Sequence, residues 1–389
     1  RPRPREPQIP SRVDPQKATG QFVLADVYYG RNMSGVQRGT IKRLLILEDL
    51  PKPGSKHGWR GEHGGHITLR RVLGEVPVEP DGSALFEVPA LRAVYFVALD
   101  ERGLAVKRMQ NFTMVMPGET QGCVGCHEPR TRSITPNNGR DMLMALARPA
   151  SRIEPVPGAP GVFDYPRDIQ PIWDRHCIGC HGVEKASGHV VLTGDNNEWR
   201  TQSYYALHAY DQISRPSGWK EEGNHGPYEF GSGASPLMKK IDGSHHGVRV
   251  TRAEYDRVRL WIETSAIFTG TYAIYNHFEN AVATPLTLKK ATLGNPVQPI
   301  VEKRCLCCHQ STDNLGRRRW EQRDPGGNGK PQEWLNNPLY CLNLYNLSRP
   351  EKSMILLAPL AKEQGGYGWC KDGDGNTASV FNDTSDPDY

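Results

Sequence analysis

The feature that constrains this chain most is a segment that it contains twice. Residues 168–181 read DIQPIWDRHCIGCH and residues 296–309 read PVQPIVEKRCLCCH, with the same Gln-Pro-Ile run and the same Cys-x-x-Cys-His ending. A third such ending, CVGCH at 123–127, stands earlier in a different sequence context. In chain order we call 123–127, 177–181 and 305–309 the first, second and third motifs.

The spacing within each motif predicts covalently bound haem. Two thiols three positions apart can each add to one vinyl group of a single porphyrin, and the adjacent His then binds the iron. Zinc is the alternative, but zinc sites usually pair two Cys-x-x-Cys units or add a pair of histidines. We therefore predict three haem c groups, attached and ligated by Cys123, Cys126 and His127, by Cys177, Cys180 and His181, and by Cys305, Cys308 and His309.

Composition and cysteine usage indicate a loop-rich protein outside the cytoplasm. The 389 residues include 40 Gly and 31 Pro, and no apolar run approaches the ~20 residues of a membrane span. The formal charge of +5 would be offset by the haem propionates, so it does not indicate a nucleic-acid partner. Covalent haem attachment takes place outside the cytoplasm, which predicts a periplasmic or equivalent location.

Three cysteines stand outside the attachment pairs. In an oxidising compartment Cys341 and Cys370 could form a disulfide, with two unpaired thiols as the alternative. Cys307 lies between two attachment thiols and has no predicted role. The chain begins with Arg, so we expect a processed form or a segment of a longer protein.

The fold class predicted from the chain is α+β and multidomain. Residues 1–20 form a polar tail. Alternating apolar runs broken by Asp-Gly-type turns predict an antiparallel β-sandwich over 21–122, followed by the first haem segment and a linker over 123–160. Two small, mostly helical cytochrome c-like domains are predicted at 161–280 and 285–389, with the second and third motifs.

Helical signals are clearest around the second motif. The apolar residues that precede the two repeated motifs recur at helical spacing, which predicts a short helix before each. In TRAEYDRVRLWIET, Thr251 and Glu254 form a predicted capping box. The apolar face of that helix comprises Tyr255, Val258, Trp261 and Ile262. We expect this face to pack on the helix of the second motif.

With the motifs placed, the chain resembles the middle and C-terminal domains of the hydrazine synthase alpha subunit, and equally the planctomycete multihaem cytochrome c proteins related to it. The resemblance is carried by RGTIKRLLILED, EPDGSALFEVPA, PGETQGCVGCHEPR, YPRDIQPIWDRHCIGCHG and GSHHGVRVTRAEYDRVRLWIE. It covers nearly the whole chain from residue 21, whereas the N-terminal β-propeller of that family has no counterpart here.

One position departs from the family pattern. In the family, the catalytic haem of the middle domain is held by a Tyr four residues after the motif His, and that His serves a zinc ion. The corresponding residue here is Thr131, which cannot play that part. The resemblance therefore does not carry over the hydrazine-forming activity, and His127 is expected to bind the iron.

The second axial ligand decides what each haem can do, because a second His gives a low potential, Met raises it, and an open position can bind substrate. For the second motif the resemblance implies His245, with His246 as the rival and two plain loop histidines as the alternative. For the third motif we predict Met354. A core Met, His277, a residue beyond the chain and an absent ligand are the alternatives.

The first motif leaves its second ligand open, and several histidines have no predicted role. The candidates are His57, His63 and His66, which could also form a zinc site, and Met109, Met114 and Met116. His176 could reach a neighbouring haem, although a surface position is the simpler expectation, and His208 and His225 are expected at the surface.

Together these features predict a trihaem cytochrome that transfers electrons, as a relay or as a subunit of a larger redox complex, with other redox proteins as partners and oligomerisation left open. The alternative is a haem enzyme related to hydrazine synthase that uses a five-coordinate haem on a small nitrogen or oxygen compound. In a third interpretation the sandwich is a docking module.

Overall fold

The computed structural model of the protein describes residues 12–51, 68–109, 111–126, 142–197, 200–214, 225–272, 299–300, 303–304, 345–372, 374 and 376–389. The chain is α+β, with N-terminal β-sheets followed by a helical region. It divides into two compact units. The first comprises Arg1–Phe163, Ser214–Met238 and Thr251–Gly270, and the second comprises Asp164–Ile213, Lys239–Val250 and Thr271–Tyr389.

Two β-sheets form the body of the first unit. Within the described residues the strands are β1 (Thr19–Leu24), β2 (Arg43–Asp49), β3 (Arg70–Pro77), β4 (Ala84–Pro89), β5 (Val94–Leu99), β6 (Ala105–Arg108) and β7 (Thr120–Cys123). One sheet has the order β4-β1-β7 and the other β3-β2-β5-β6. All neighbours are antiparallel except β1 and β7, which run parallel.

The two sheets share one apolar core. Phe22 of β1 and Phe86 of β4 each meet Phe96 of β5 edge to face, with ring centres 5.2 Å apart in both pairs. Inward residues of both sheets belong to the same buried cluster. The predicted N-terminal sheets are thus confirmed, whereas β7 was not predicted because the sequence TQGC carries no apolar alternation.

The segment predicted as a linker belongs to the sandwich. Glu154 exchanges backbone hydrogen bonds of 2.8 and 2.9 Å with Glu75 of β3, and the N–H of Ser151 donates to the carbonyl of Leu85 in β4. Both strands lie at the edges of their sheets. Their outer backbone groups need partners, and the Pro-rich segment supplies them.

The helices are short. They are α1 (Tyr165–Asp168), α2 (Gln170–His176), α3 (Ile178–His181), α4 (Gln202–Ala209), α5 (Pro236–Lys240), α6 (Arg252–Glu263) and α7 (Met354–Leu357). Single 3₁₀ turns occupy Met144–Ala147, Ser187–His189, Ser232–Ala234, Pro350–Lys352 and Lys362–Gln364. None of the helices in the described part of the chain has the length and apolarity needed to cross a bilayer.

The helix α6 begins at the predicted capping box. The Thr251 N–H donates to Glu254 Oε2 at 2.8 Å, and the Glu254 N–H donates to Thr251 Oγ1. The predicted apolar face is buried. However, α6 belongs to the first unit, where Arg259 Nη2 lies 2.8 Å from Glu75 Oε1 of β3. The sequence predicts this helix within 161–280, beside the second motif, whereas the structure groups it with the sheets. An apolar face alone does not identify the partner of a helix.

In the second unit, the chain after residue 345 packs beside the second motif. Leu357 of α7 and Tyr367 join a buried cluster with Val183, Ala186 and Val191. The Arg349 guanidinium lies 2.5 Å from Asp195. The sequence predicts a separate domain for 285–389, and most of that range lies outside the described residues. The described tail belongs to the same compact unit as the second motif.

Candidate functional site

The second motif lies where two short helices meet. The helix α2 ends before Cys177, and α3 carries Cys180 and His181. The N–H of His181 donates to the carbonyl of Cys177 at 2.9 Å, so the His and the first Cys lie one helical turn apart. Residues at this spacing share one helix face. A helix therefore precedes the second motif as predicted, and a second short helix, which begins after Cys177, carries the rest of the motif.

Both thiols of the second motif are free cysteines that differ in exposure. Cys177 is half-buried and Cys180 is exposed. Burial, followed by the charge of Cys180, raises the pKa of Cys177 to about 11. Cys177 is therefore a protonated thiol at neutral pH, next to an accessible second thiol.

A buried hydrogen-bond network fixes the helix that leads into the second motif. Trp173 Nε1 donates to the hydroxyl of Tyr165 at 2.9 Å, and this hydroxyl donates to Ser203 Oγ at 2.9 Å. Ser203 Oγ in turn donates to Oε1 of Gln170. Burial raises the pKa of Tyr165 well above its usual value, so it stays a donor. The Gln-Pro-Ile run thus includes a core polar anchor, Gln170.

The ring of His181 faces the ring of His245. Their ring centres lie 6.0 Å apart and their planes are inclined by 20°. Both residues are half-buried and belong to the second unit. His246 is exposed, and its ring packs edge-on against His245 at 4.6 Å. Of the two rivals, His245 is therefore the one that faces the motif His.

A tight loop presents His245. The carboxylate of Asp242 accepts hydrogen bonds from the N–H and hydroxyl of Ser244, at 3.0 and 2.6 Å. The N–H of Val248 donates to the carbonyl of His245 at 2.9 Å. Gly243 and Gly247 have φ of +108° and +76°, which other residues rarely adopt. The sequence DGSHHG thus specifies both the turn and the His245 imidazole that the turn presents.

Both imidazoles are held in the neutral form. Burial lowers the pKa of His181 and of His245, and the Lys240 ammonium lowers both further. The backbone groups of Val190 and Ser187 beside the His181 ring offset part of this lowering of its pKa. Neutral imidazole is the form that binds metals.

The spacing of the two rings fits ligation of a single iron. An imidazole nitrogen binds a transition metal at about 2 Å, and the ring centre lies about 1 Å behind it. Two imidazoles that shared one iron would have ring centres about 6 Å apart, and the near-parallel rings of His181 and His245 have this separation. Within the described residues no three His, Cys, Asp or Glu side chains are grouped as a metal site.

The first motif has a different backbone setting. Cys123 ends strand β7 and pairs with Leu24 of β1, and the N–H of Cys126 donates to the carbonyl of Tyr29 at 2.8 Å. Gly125 packs so tightly that a Cβ atom there would lie 1.9 Å from the Tyr29 carbonyl oxygen. This position therefore requires Gly, because the Tyr29 carbonyl lies too close for any side chain. His127 and Thr131 lie outside the described residues.

The third motif lies outside the described residues, and so do Cys307, Cys341, His277, His57, His63 and His66. The four described residues before this motif, 299–300 and 303–304, are helical, like their counterparts in the second copy. Arg304 lies 2.9 Å from Asp386 and 2.6 Å from Asp388. The disulfide between Cys341 and Cys370 and the three ligands at 305–309 stay predictions.

The remaining ligand candidates occupy varied positions. Met354 is half-buried in α7, in the segment that packs beside the second motif. Met114 and Met116 are 47% and 42% exposed, and Met109 is half-buried. The three histidines expected at the surface are not exposed: His208 is 7% exposed, and His176 and His225 are half-buried. Sequence reasoning missed the burial of His208 and His225 because neither adjoins a motif.

Comparison with known proteins confirms the resemblance over part of the chain. Residues 39–128 match the family model of the hydrazine synthase alpha subunit middle domain, a segment that includes the thiols of the first motif. The solved structure of Kuenenia stuttgartiensis hydrazine synthase matches with 17% identity and a TM-score of 0.48, over 66% of this chain and 44% of that chain. No curated protein sequence matches.

Proposed function

We propose that the protein is a trihaem c-type cytochrome that transfers electrons outside the cytoplasm, as a relay or as a subunit of a larger redox complex. The observation that carries the proposal is the facing pair of His181 and His245, 6.0 Å apart beside Cys177 and Cys180. A bis-His pair next to two thiols at attachment spacing is a donor set for haem c.

Each residue of this site has a role in the proposal. Cys177 and Cys180 would hold the porphyrin through thioether bonds, and His181 and His245 would bind its iron. When bound, haem supplies a one-electron iron couple, whose potential two His ligands keep low. The neutral state of both imidazoles removes the need to lose a proton before binding.

The surroundings of the site suit a rigid electron carrier. Ile172 and Trp173 of α2 are each 1% exposed. The indole N–H of Trp173 is satisfied by its hydrogen bond to the Tyr165 hydroxyl. On the other side, the Asp242 turn restrains His245. Both ligands are thereby positioned by structure outside the site, which is how a protein orients a cofactor.

The proposal extends to the other two motifs by their sequence. Cys123 and Cys126 with His127, and Cys305 and Cys308 with His309, carry the same donor types. We propose cytochrome c-like domains around the second and third motifs, other redox proteins or subunits as partners, and a periplasmic or equivalent compartment, because haem c is attached there.

Intact-mass measurement tests the proposal. The full chain, produced in a host that matures c-type cytochromes, should have the mass of the polypeptide plus three haems and show the spectrum of a thioether-bound haem. A colourless protein with the mass of the polypeptide alone, or of the polypeptide with zinc, would contradict it.

A second candidate function is supported by the family match. The segment 39–128 resembles a domain of hydrazine synthase, which favours a haem enzyme acting on a small nitrogen or oxygen compound at an open iron position. Carbon monoxide distinguishes the two, since it binds reduced haem only where an axial position is free. A CO adduct on one haem supports the enzyme, and an all-low-spin spectrum without an adduct supports electron transfer.

A further inference from the structure

Three aromatic rings are stacked in the second unit, beside the second motif. The rings of Tyr367 and Trp369 have centres 4.2 Å apart and planes inclined by 22°. The rings of Trp369 and His189 have centres 4.1 Å apart and planes inclined by 25°. Trp369 is therefore the ring that links the other two. We call these three residues, which all belong to the second unit, the aromatic stack.

The aromatic stack leads from the core beside the motif His to the surface. Tyr367 is buried in the cluster that contains Val183, Trp369 is half-buried, and His189 is exposed. The Tyr367 hydroxyl donates to the carbonyl of Val183 at 2.5 Å, and Val183 is two residues after His181. A short run of covalent bonds, one hydrogen bond and two ring contacts thus connects His181 with the surface.

The loop that presents His189 has a strained backbone. Ala186 and His189 have φ of +42° and +63°, and a residue other than Gly in this region costs about 1–3 kcal/mol and is often found at a functional site. The N–H of His189 donates to the carbonyl of Ala186 at 2.8 Å, and the Tyr210 hydroxyl donates to the carbonyl of His189. Because His189 is exposed, burial of its side chain does not account for this strain. The loop instead holds the imidazole against Trp369.

We propose that electrons pass between the second haem and a redox partner at the surface through the aromatic stack, with His189 as its outer end. This path rests on the proposed function and adds the place where electrons enter or leave. The partner loses the one electron that the iron gains, or gains the one that the iron loses, and the rings are not oxidised. Rings in contact couple a donor and an acceptor better than an empty gap does. The competing route is the thioether edge at the exposed Cys180.

The test uses the full haem-loaded chain with a ruthenium bipyridyl complex bound to the imidazole of His189. Intact mass and peptide mapping come first, because haem on the second motif shows that the proposed function holds whatever path electrons take. A light flash then starts electron transfer between ruthenium and iron. Trp369→Leu should slow this transfer severalfold. Tyr367→Phe should also slow it, because it removes the hydroxyl that links the stack to the motif. Trp369→Phe keeps a ring in the stack and should stay close to wild type.

A ruthenium label on the exposed His246 is the matched control, because the ring of His246 packs against His245. Transfer from this label should not change in Trp369→Leu, which shows that the variant leaves the haem itself intact. NMR of the reduced, diamagnetic protein gives a readout that does not depend on electron transfer. The ring protons of His189 should shift downfield in Trp369→Leu, since the stacked indole is removed.

The path is overturned if transfer from the label on His189 has the same rate in wild type, Trp369→Leu and Tyr367→Phe while haem is attached to the second motif. Electrons would then use the thioether edge at Cys180. A second motif without haem would overturn the proposed function and the path together, whereas the NMR shift of His189 would still report the stack.

Discussion

His181 and His245 come from distant parts of the chain, yet their rings are inclined by only 20° to one another. His181 is fixed by the helices of the second motif, and His245 by the turn that Asp242 closes. The relationship between the two rings is therefore a product of two independent local structures that fold against each other within the second unit.

Replacing His245 should change the spin state of one haem. In His245→Ala the second haem loses one of its two proposed ligands, so one haem of three becomes high-spin. His246→Ala is the matched control and should keep the wild-type spectrum, because His246 is exposed and only packs against His245. Optical and EPR spectra of both variants check this. The reverse pattern would move the assignment to His246.

Replacing the glycine between the two cysteines by Ala should change stability in opposite directions in the first and second motifs. Gly125→Ala places a Cβ 1.9 Å from the Tyr29 carbonyl oxygen, so the first motif must shift, at a cost of at least about 1–3 kcal/mol. Gly179→Ala meets nothing within 4 Å and lies in α3, so it should stabilise by about 0.5–1 kcal/mol. Denaturant unfolding and haem content give the readout, and equal effects of the two substitutions would contradict the close approach at Tyr29.

The ion pair between α6 and β3 should dominate the stability of that contact. Arg259 is 2% exposed beside Glu75, and removing one member of a buried pair costs about 3–5 kcal/mol, so Arg259→Met should be strongly destabilising. Adding Glu75→Gln should recover little of the loss, because Arg43 Nε lies 2.8 Å from Glu75 Oε2 and still pairs this carboxylate. Arg252, with its side chain 62% exposed, provides the control: Arg252→Ala should cost about 0–0.5 kcal/mol. Urea unfolding measures all three, and a loss no larger than that of Arg252→Ala would contradict the role of the pair.

The stability of the first unit should depend on pH through Glu263. This carboxyl is fully buried, and burial raises its pKa above the ordinary 4.5. A group whose pKa is raised by folding contributes stability below its unfolded pKa, and the contribution is lost as pH rises through the folded value. Wild type should therefore lose stability relative to Glu263→Gln as pH rises from 4.5.

Urea unfolding at several pH values checks this prediction. Glu263→Gln keeps the acceptor for the N–H of Ser232, which lies 2.6 Å from Glu263 Oε1. The free energy of unfolding of this variant should therefore vary less with pH than that of wild type. Glu184→Gln, at a side chain 75% exposed, should follow wild type. A constant difference between wild type and Glu263→Gln across pH would show that Glu263 is not the group responsible.

Local patterns accounted for much of the architecture. Alternating apolar residues placed β1 to β6, and Thr251 with Glu254 placed the start of α6. Strand β7 could not be predicted, because TQGC has no apolar period and its parallel pairing with β1 is fixed by distant residues. Likewise, Glu154 pairs with Glu75 only because β3 needs a partner at its edge.

The sequence by itself determined the donor types: three Cys-x-x-Cys-His motifs, the repeated helix signal and the His-His turn. These are local, since thiol spacing and turn chemistry depend only on neighbouring residues. Only the tertiary structure decided which histidine faces His181, that α6 belongs with the sheets, and that the tail after residue 345 packs with Val183 and Val191. Those outcomes depend on burial and on pairing between distant segments, which no local pattern encodes.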